Sequence, residues 1–252
     1  MADAPDSAEY GERWADVYDQ VFPSFADQDD CISLLAEMAA GGKALELAIG
    51  TGRIALPLAA RGVDVEGVDI SPAMVAKLRA KPGGDGIKVT IGDFADVPVE
   101  GRFRLIYITF NTLFALLAQE QQLRCFSSVA GHLEPGGAFV TECFFPNPRL
   151  LARGNWTDTI EAGGPKLRLT FSRADVSAQR IDSSYVELTD AGARLLPIHI
   201  RYAWPAELDL MARLAGMRLQ DRWGGWARQP FTSTSAKHVS VYRAGALRED
   251  QA

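Results

Sequence analysis

The chain has 252 residues, of which 47% are hydrophobic, and a formal net charge of −6. This supports a substantial core in one large domain or a domain with an inserted cap. It excludes nucleic acid as the main substrate, because phosphate backbones are bound by clustered Lys and Arg and no basic run occurs. No apolar segment is long enough to cross a bilayer, so no membrane partner is expected.

Residues 1 to about 9 are expected to be disordered. Their acidic start lacks the basic and apolar regions of a signal peptide. Cys31, Cys125 and Cys143 are odd in number and widely spaced, which fits a reducing cytoplasm and shows no metal-ligand pattern. Each reads as a small core residue. Over 9–25, Tyr10, Trp14, Tyr18 and Phe22 recur every fourth residue and would share one helical face. The stripe either packs on the domain or forms a lid whose tyrosines close over the ligands. Residues 29–39 read as the helix before the first strand.

Ala44 to Ala48 is a short apolar run with one acid, Glu46, consistent with a buried parallel strand. Gly50 and Gly52 allow a tight turn and close approach of backbone to a ligand. Residues 54–61 continue as a helix stopped by Gly62, and 63–68 as a second strand. Asp69 stands at its end, where a carboxylate can accept from both hydroxyls of a ribose. Ser71 is the expected N-cap and Pro72 the first position of the next helix. Met74 lies in that first turn, where it can pack on an adenine face. The run from Gly50 to Ala55 also fits the dinucleotide fingerprint. A pyrophosphate, however, is repelled by a nearby carboxylate, whereas an ammonium and a sulfonium are attracted by one. Glu46 therefore points to S-adenosylmethionine.

On these residues the chain resembles the class I S-adenosylmethionine-dependent methyltransferases. Val89-Thr90-Ile91-Gly92-Asp93-Phe94 is similar to the family's third-strand motif, whose acid contacts the adenine amino group and whose next residue lines the ring. Phe103 to Phe110 resembles the fourth strand, whose end meets the methyl donor. Leu133-Glu134-Pro135-Gly136-Gly137 followed by Ala138 to Cys143 resembles the turn and fifth strand. The resemblance runs from about Tyr10 to Tyr242. It implies an α/β, Rossmann-like fold: a seven-stranded, mostly parallel sheet with an antiparallel last strand. It also implies a cofactor site built from Tyr18, Glu46, Ala48, Gly50, Gly52, Arg53, Asp69, Ile70, Met74, Asp93, Phe94 and Phe110. Two positions depart from the family pattern. Ala48 stands where glycine is frequent, and Arg104 where many members carry aspartate.

Beyond Pro146-Asn147-Pro148, residues 166–173, 180–188 and 194–203 alternate as strands, with a turn at Asp190-Ala191-Gly192. They predict a small inserted antiparallel sheet. Residues 205–214 then read as a helix between Pro205 and Gly216, and 217–223 and 238–243 as a final antiparallel pair. The organisation expected is an N-terminal helical lid (1–42), a cofactor-binding core (43–148), the inserted sheet as substrate cap or oligomer contact (149–203), and a C-terminal completion of the core sheet (204–252).

Methyl transfer is an in-line displacement on an activated donor, so the protein mainly supplies proximity and orientation. A neutral amine needs little more, whereas a hydroxyl needs a base or a metal. No His, Asp and Glu cluster has metal-ligand spacing, and no metal is expected. His132 and His238 read as exposed and structural, leaving His199 as the candidate base. Some amino-sugar N-methyltransferases carry a histidine just after the fourth strand, in a slot that Ala115 fills here. Asn111, directly after that strand, is the best polar candidate near the methyl group; a helix N-cap is its plain structural alternative. Tyr10, Tyr18 and Asn111 are the expected catalytic set. Phe114, Phe145, Trp156, His199 and Arg201 are the expected substrate contacts, with Phe144, Tyr202, Trp223 and Trp226 as further aromatic walls and Glu142 as a further polar contact. The inserted sheet and tyrosine helix resemble glycine N-methyltransferase and bacterial antibiotic-tailoring N-methyltransferases of the amino-sugar or lincosamide type. The Ala- and Arg-rich usage suits a high-GC bacterium. The expectation is a cytoplasmic, homo-oligomeric enzyme that N-methylates a small-molecule amine with S-adenosylmethionine. O-methylation and non-catalytic binding of an adenosyl ligand are the alternatives.

Overall fold

The computed structural model describes residues 7–163 and 166–244. Of the stretch expected to be disordered, 1–6 lie outside the described residues and 7–9 belong to a helix. Three helices, α1 (Ser7–Trp14), α2 (Tyr18–Val21) and α3 (Gln28–Ala39), lead into the first strand. The single aromatic-striped helix expected over 9–25 is broken at residues 15–17. The four rings still form one chain of contacts, Tyr10 to Trp14 at 5.6 Å, Trp14 to Phe22 at 5.5 Å and Tyr18 to Phe22 at 5.3 Å.

The core alternates strand and helix through β1 (Ala44–Leu47), α4 (Ala55–Ala60), β2 (Val65–Asp69), α5 (Pro72–Arg79), β3 (Lys88–Ile91), β4 (Phe103–Ile108), α6 (Gln119–His132) and β5 (Leu133–Phe144). Every residue of β1 and β2 is buried, as strands covered on both faces require. The α5 start is as read: Ser71 Oγ accepts from Met74 N at 3.2 Å and Pro72 follows the cap. After α7 (Pro148–Leu151) the chain makes a four-stranded antiparallel meander, β6 (Asn155–Gly163), β7 (Lys166–Asp175), β8 (Arg180–Thr189) and β9 (Gly192–Arg201). Three of these strands were legible. In β6 a bulge between Thr159 and Glu161 breaks the two-residue period, which hides it. Then α8 (Pro205–Leu214), β10 (Met217–Trp223) and β11 (Lys237–Ala244) return to the main sheet.

That sheet has the order β10-β11-β5-β4-β1-β2-β3, with β11 alone reversed. Its two faces carry separate cores. Leu47, Ile106 and Phe139 meet Phe126 of α6 and Leu208 of α8 on one side. Ala44, Leu105 and Val140 meet Leu35 of α3, Leu58 of α4 and Leu78 of α5 on the other. All three cysteines are buried and free. Because β2 and β4 lie on opposite sides of β1, the connections diverge at the carboxyl ends of β1 and β4. Open sheets of this kind bind ligands at such a switch point.

His238 lies in β11 with no surface exposed. Its Nδ1 bonds Ser240 Oγ at 2.9 Å, and its Nε2 is buried without a described partner. Burial, with Arg222 adding to it, pulls its pKa down to about 3 from an ordinary 6.5. The unfolded chain therefore binds the proton first as pH falls. The stability due to the neutral ring is complete above pH 6.5 and is lost as pH drops from there towards about 3. Between pH 7.5 and 5.0, urea unfolding of the wild type should lose about 2 kcal/mol more than that of His238→Gln. Parallel losses would show that His238 is not the titrating group.

Candidate active site

A cleft of about 440 Å³ opens at this switch point. Its floor is the loop after β1. Ala48 and Gly50 line it with φ of +55° and +56°. The left-handed value at Ala48 explains why glycine suits this position so well. A Cβ on Gly50 would come within 3.9 Å of Met74 Cε, a second lining residue. Gly52 serves packing instead, since a Cβ there would meet Leu78 and Leu56 at 3.0–3.1 Å. Asp69 faces the loop from the end of β2. Its Oδ2 accepts from Gly50 N at 2.7 Å and its Oδ1 from Ser71 N at 2.9 Å. Burial raises its pKa against the pull of these amides. Each oxygen keeps a lone pair for a ligand. Ile70 and Phe94 complete this end.

Arg53 is one of two arginines, with Arg13, in the lining of the cleft. It donates to Phe22 O at 3.0 Å and to Tyr18 Oη at 3.1 Å, and its guanidinium lies 3.7 Å over the Phe110 ring. Its Nε is buried with no described partner. The roof is α1 and α2, which bring Tyr10, Tyr18 and Phe22. Glu12 accepts from Ser71 Oγ at 3.0 Å, Asp16 pairs with Lys77 at 2.8 Å, and Asp19 bonds Thr51 at 2.6 Å and Lys81 at 2.7 Å. Trp14 is fully buried beside Tyr185 and Leu196 of the inserted sheet and donates to Pro197 O at 3.3 Å. The two phenols are raised, Tyr10 and Tyr18 alike, mainly by burial. Both therefore keep their protons near neutrality.

The far wall is a turn at the end of β4. Phe110 and Asn111 hold φ of +56° and +64° in succession. Asn111 heads a short 3-10 turn but does not cap it with its side chain. Its Oδ1 instead accepts from Phe144 N at 2.5 Å. Thr112, Ala115 and Phe144 line the same wall, and the β9 segment from Pro197 to Ile200 closes the side.

The profile of the methyltransferase domain family matches residues 44–137. The chain is 30% identical over 204 residues to the cypemycin N-terminal methyltransferase of a Streptomyces species, covering 80% of this chain and 82% of that one. It belongs to the S-adenosylmethionine-dependent methyltransferases. The CcbJ methyltransferase of Streptomyces caelestis superposes on this methyltransferase with a TM-score of 0.91, at 41% identity over 96% of this chain and 100% of the other. The S-adenosylmethionine-bound amino pentose methyltransferase CalS10 of Micromonospora echinaspora shares the fold, with a TM-score of 0.69 at 20% identity over 91% and 97%.

The cofactor is S-adenosylmethionine, and the cleft of this methyltransferase suits its parts. The unpartnered Nε of Arg53 would take the carboxylate of the amino-acid end. The spare lone pairs of Asp69 would take the ribose, and Met74 and Phe94 would flank the adenine.

Several residues expected at the site lie elsewhere. Glu46 is 4% exposed and outside the lining; it accepts from Tyr107 Oη at 3.1 Å and from the Ala55 amide. Burial lifts its pKa to about 8, against these bonds and Arg53. It braces the loop from behind and presents no carboxylate to the cleft. Asp93 accepts from Ala95 N at 2.8 Å and closes its own turn. Phe114 is core and packs edge-on against the lining Phe144 at 5.2 Å. Phe145 packs between Trp204 and Phe231. Trp156 packs against the core, and Tyr202 and Trp226 are core. Arg201 ties the inserted sheet to α6 and α8 through Gln122, Gln179 and Glu207 at 2.7–2.9 Å. Glu142 is also outside the cleft lining, its carboxylate accepting from Phe110 N at 2.9 Å.

His199 lines the cleft, with Nδ1 2.8 Å from Asp182 Oδ1. Alternation along β9 sends Leu196, Ile198 and Ile200 inward and His199 to the face that carries the 63%-exposed Leu195. Sequence reasoning missed Gly11, whose Cβ would stand 2.2 Å from Ser71 Cβ. A glycine inside an aromatic helix was the available signal of that close crossing.

Proposed function

We propose that this methyltransferase N-methylates an amine of a small molecule or peptide in antibiotic or other secondary-metabolite biosynthesis. The observation that carries this reading is the wall at the transfer end: Phe110, Asn111, Thr112, Ala115 and Phe144 offer no proton acceptor of basic strength. The phenols opposite hold their protons. Such a wall suits a neutral amine, whose nitrogen attacks without first losing a proton and releases one only after the transfer. The 30% identity to the cypemycin N-terminal methyltransferase supports it. When bound, the donor supplies a methyl carbon already activated by its sulfonium. Tyr10 and Tyr18 place hydroxyl oxygens that can accept from an amine N–H, and Asn111 keeps its side-chain N–H groups without a described partner. The roof of α1 and α2 excludes water from the transfer. Residues 1–42 then act as the lid and 149–203 as the cap.

One observation favours a second reading. The His199–Asp182 pair has the form of an oriented base, which a hydroxyl acceptor would need. A panel of primary and secondary amines, peptides with free N-termini, phenols and hydroxy acids should show methyl transfer to nitrogen only. Asn111→Ala should lower turnover at least tenfold and His199→Gln less than threefold. Methylation on oxygen, abolished by His199→Gln, would replace this reading with the second.

A further inference from the structure

We propose that Glu142 is a positioning residue for the cofactor's amino-acid end, fixing the Phe110–Asn111 turn and itself held by Lys237 and Asp27. The inference rests on the S-adenosylmethionine site and is independent of whether nitrogen or oxygen is methylated.

Two successive non-glycine residues at positive φ are costly and persist only where the surroundings over-determine them. Here one residue takes both backbone amides of the turn. Glu142 Oε2 accepts from Phe110 N at 2.9 Å, and its backbone oxygen accepts from Asn111 N at 3.1 Å. Both amides of the turn thus end on the same residue of β5. Glu142 is 4% exposed, so its charge needs a partner. Lys237, the first residue of β11, donates to its Oε1 at 2.7 Å and reaches Asp27 at 2.8 Å. Burial alone would lower the Lys237 pKa; the two carboxylates outweigh it and hold the ammonium charged.

Asp27 stands immediately before α3, two residues after Phe25. The Phe25 ring packs edge-on against Phe110 at 4.5 Å and lies 5.9 Å from the Lys237 ammonium. Arg53, the residue with the free Nε, lies over the same Phe110 ring. A displaced turn would therefore move the platform of the carboxylate-binding cation and leave the Asp69 end untouched. A bond that merely satisfied a buried amide would have no such selectivity between the two ends of the ligand.

The test compares S-adenosylhomocysteine, which has both ends, with adenosine, which lacks the amino-acid end. Binding is measured by calorimetry and amide exchange by NMR on the full chain. In Glu142→Ala the Phe110 and Asn111 amides should exchange at least tenfold faster. S-adenosylhomocysteine should bind about tenfold more weakly and adenosine within threefold of wild type. Glu142→Gln, which keeps an acceptor for Phe110 N, should fall between. If Glu142→Ala does not fold, Lys237 carries the test. Lys237→Met should lose S-adenosylhomocysteine affinity selectively, and Lys237→Arg should recover most of it. Equal weakening of both ligands, or of neither, would overturn the proposal. A wild type that binds adenosine but not S-adenosylhomocysteine would overturn the cofactor site itself, and the proposal with it.

Discussion

Arg53→Met is expected to weaken S-adenosylhomocysteine about 100-fold while adenosine changes less than threefold. The side chain is packed under Tyr18 and over Phe110, and its Nε is buried with no described partner. A charge-assisted hydrogen bond in such a place contributes about 1.5–3 kcal/mol, and 100-fold is about 2.7 kcal/mol. Methionine keeps much of the packing on the ring and removes only the charge and donors. Equilibrium dialysis with both ligands decides it. A variant that binds S-adenosylhomocysteine as wild type does would move the carboxylate away from Arg53.

The opposite pattern is expected at the other end. Asp69→Ala should weaken adenosine and S-adenosylhomocysteine alike, each by at least 100-fold. The carboxylate closes the loop by taking Gly50 N and Ser71 N, and its remaining lone pairs face the cleft. Its removal frees two amides, loosens the loop after β1, and deletes the acceptor for the ribose. Asp69→Asn keeps one oxygen and should lose less. Isothermal calorimetry on the pair separates acceptor loss from loop loss. Retained adenosine affinity in Asp69→Ala would remove the ribose from this residue.

These two ends differ in how far the sequence reveals them. The Asp69 end is short-range: strand, glycine loop, strand, cap and Pro-started helix lie within thirty residues of each other, and local chemistry spells them out. The α8 boundaries, Pro205 and Leu214, were legible for the same reason. Partners are not spelled out locally. Glu46 reads as an anion at a strand end until Tyr107, 61 residues on, is seen to cover it. Arg201 reads as a substrate contact until Gln122, 79 residues back, is seen to accept from it. The aromatic stripe was legible as a cluster but not as two helices, because the break falls on Ala15, Asp16 and Val17, none of them glycine or proline, while Trp14 before it docks on Pro197, 183 residues on.

Lys237 gives the chain a limited modularity. The residues that match the family profile end at 137, yet the Phe110–Asn111 turn rests on β5, on a lysine of β11, and on an aspartate 210 residues before it. A graft of the glycine loop and its strands into another scaffold would carry the nucleoside grip with it. The transfer end would stay behind, because it is assembled from opposite ends of the chain.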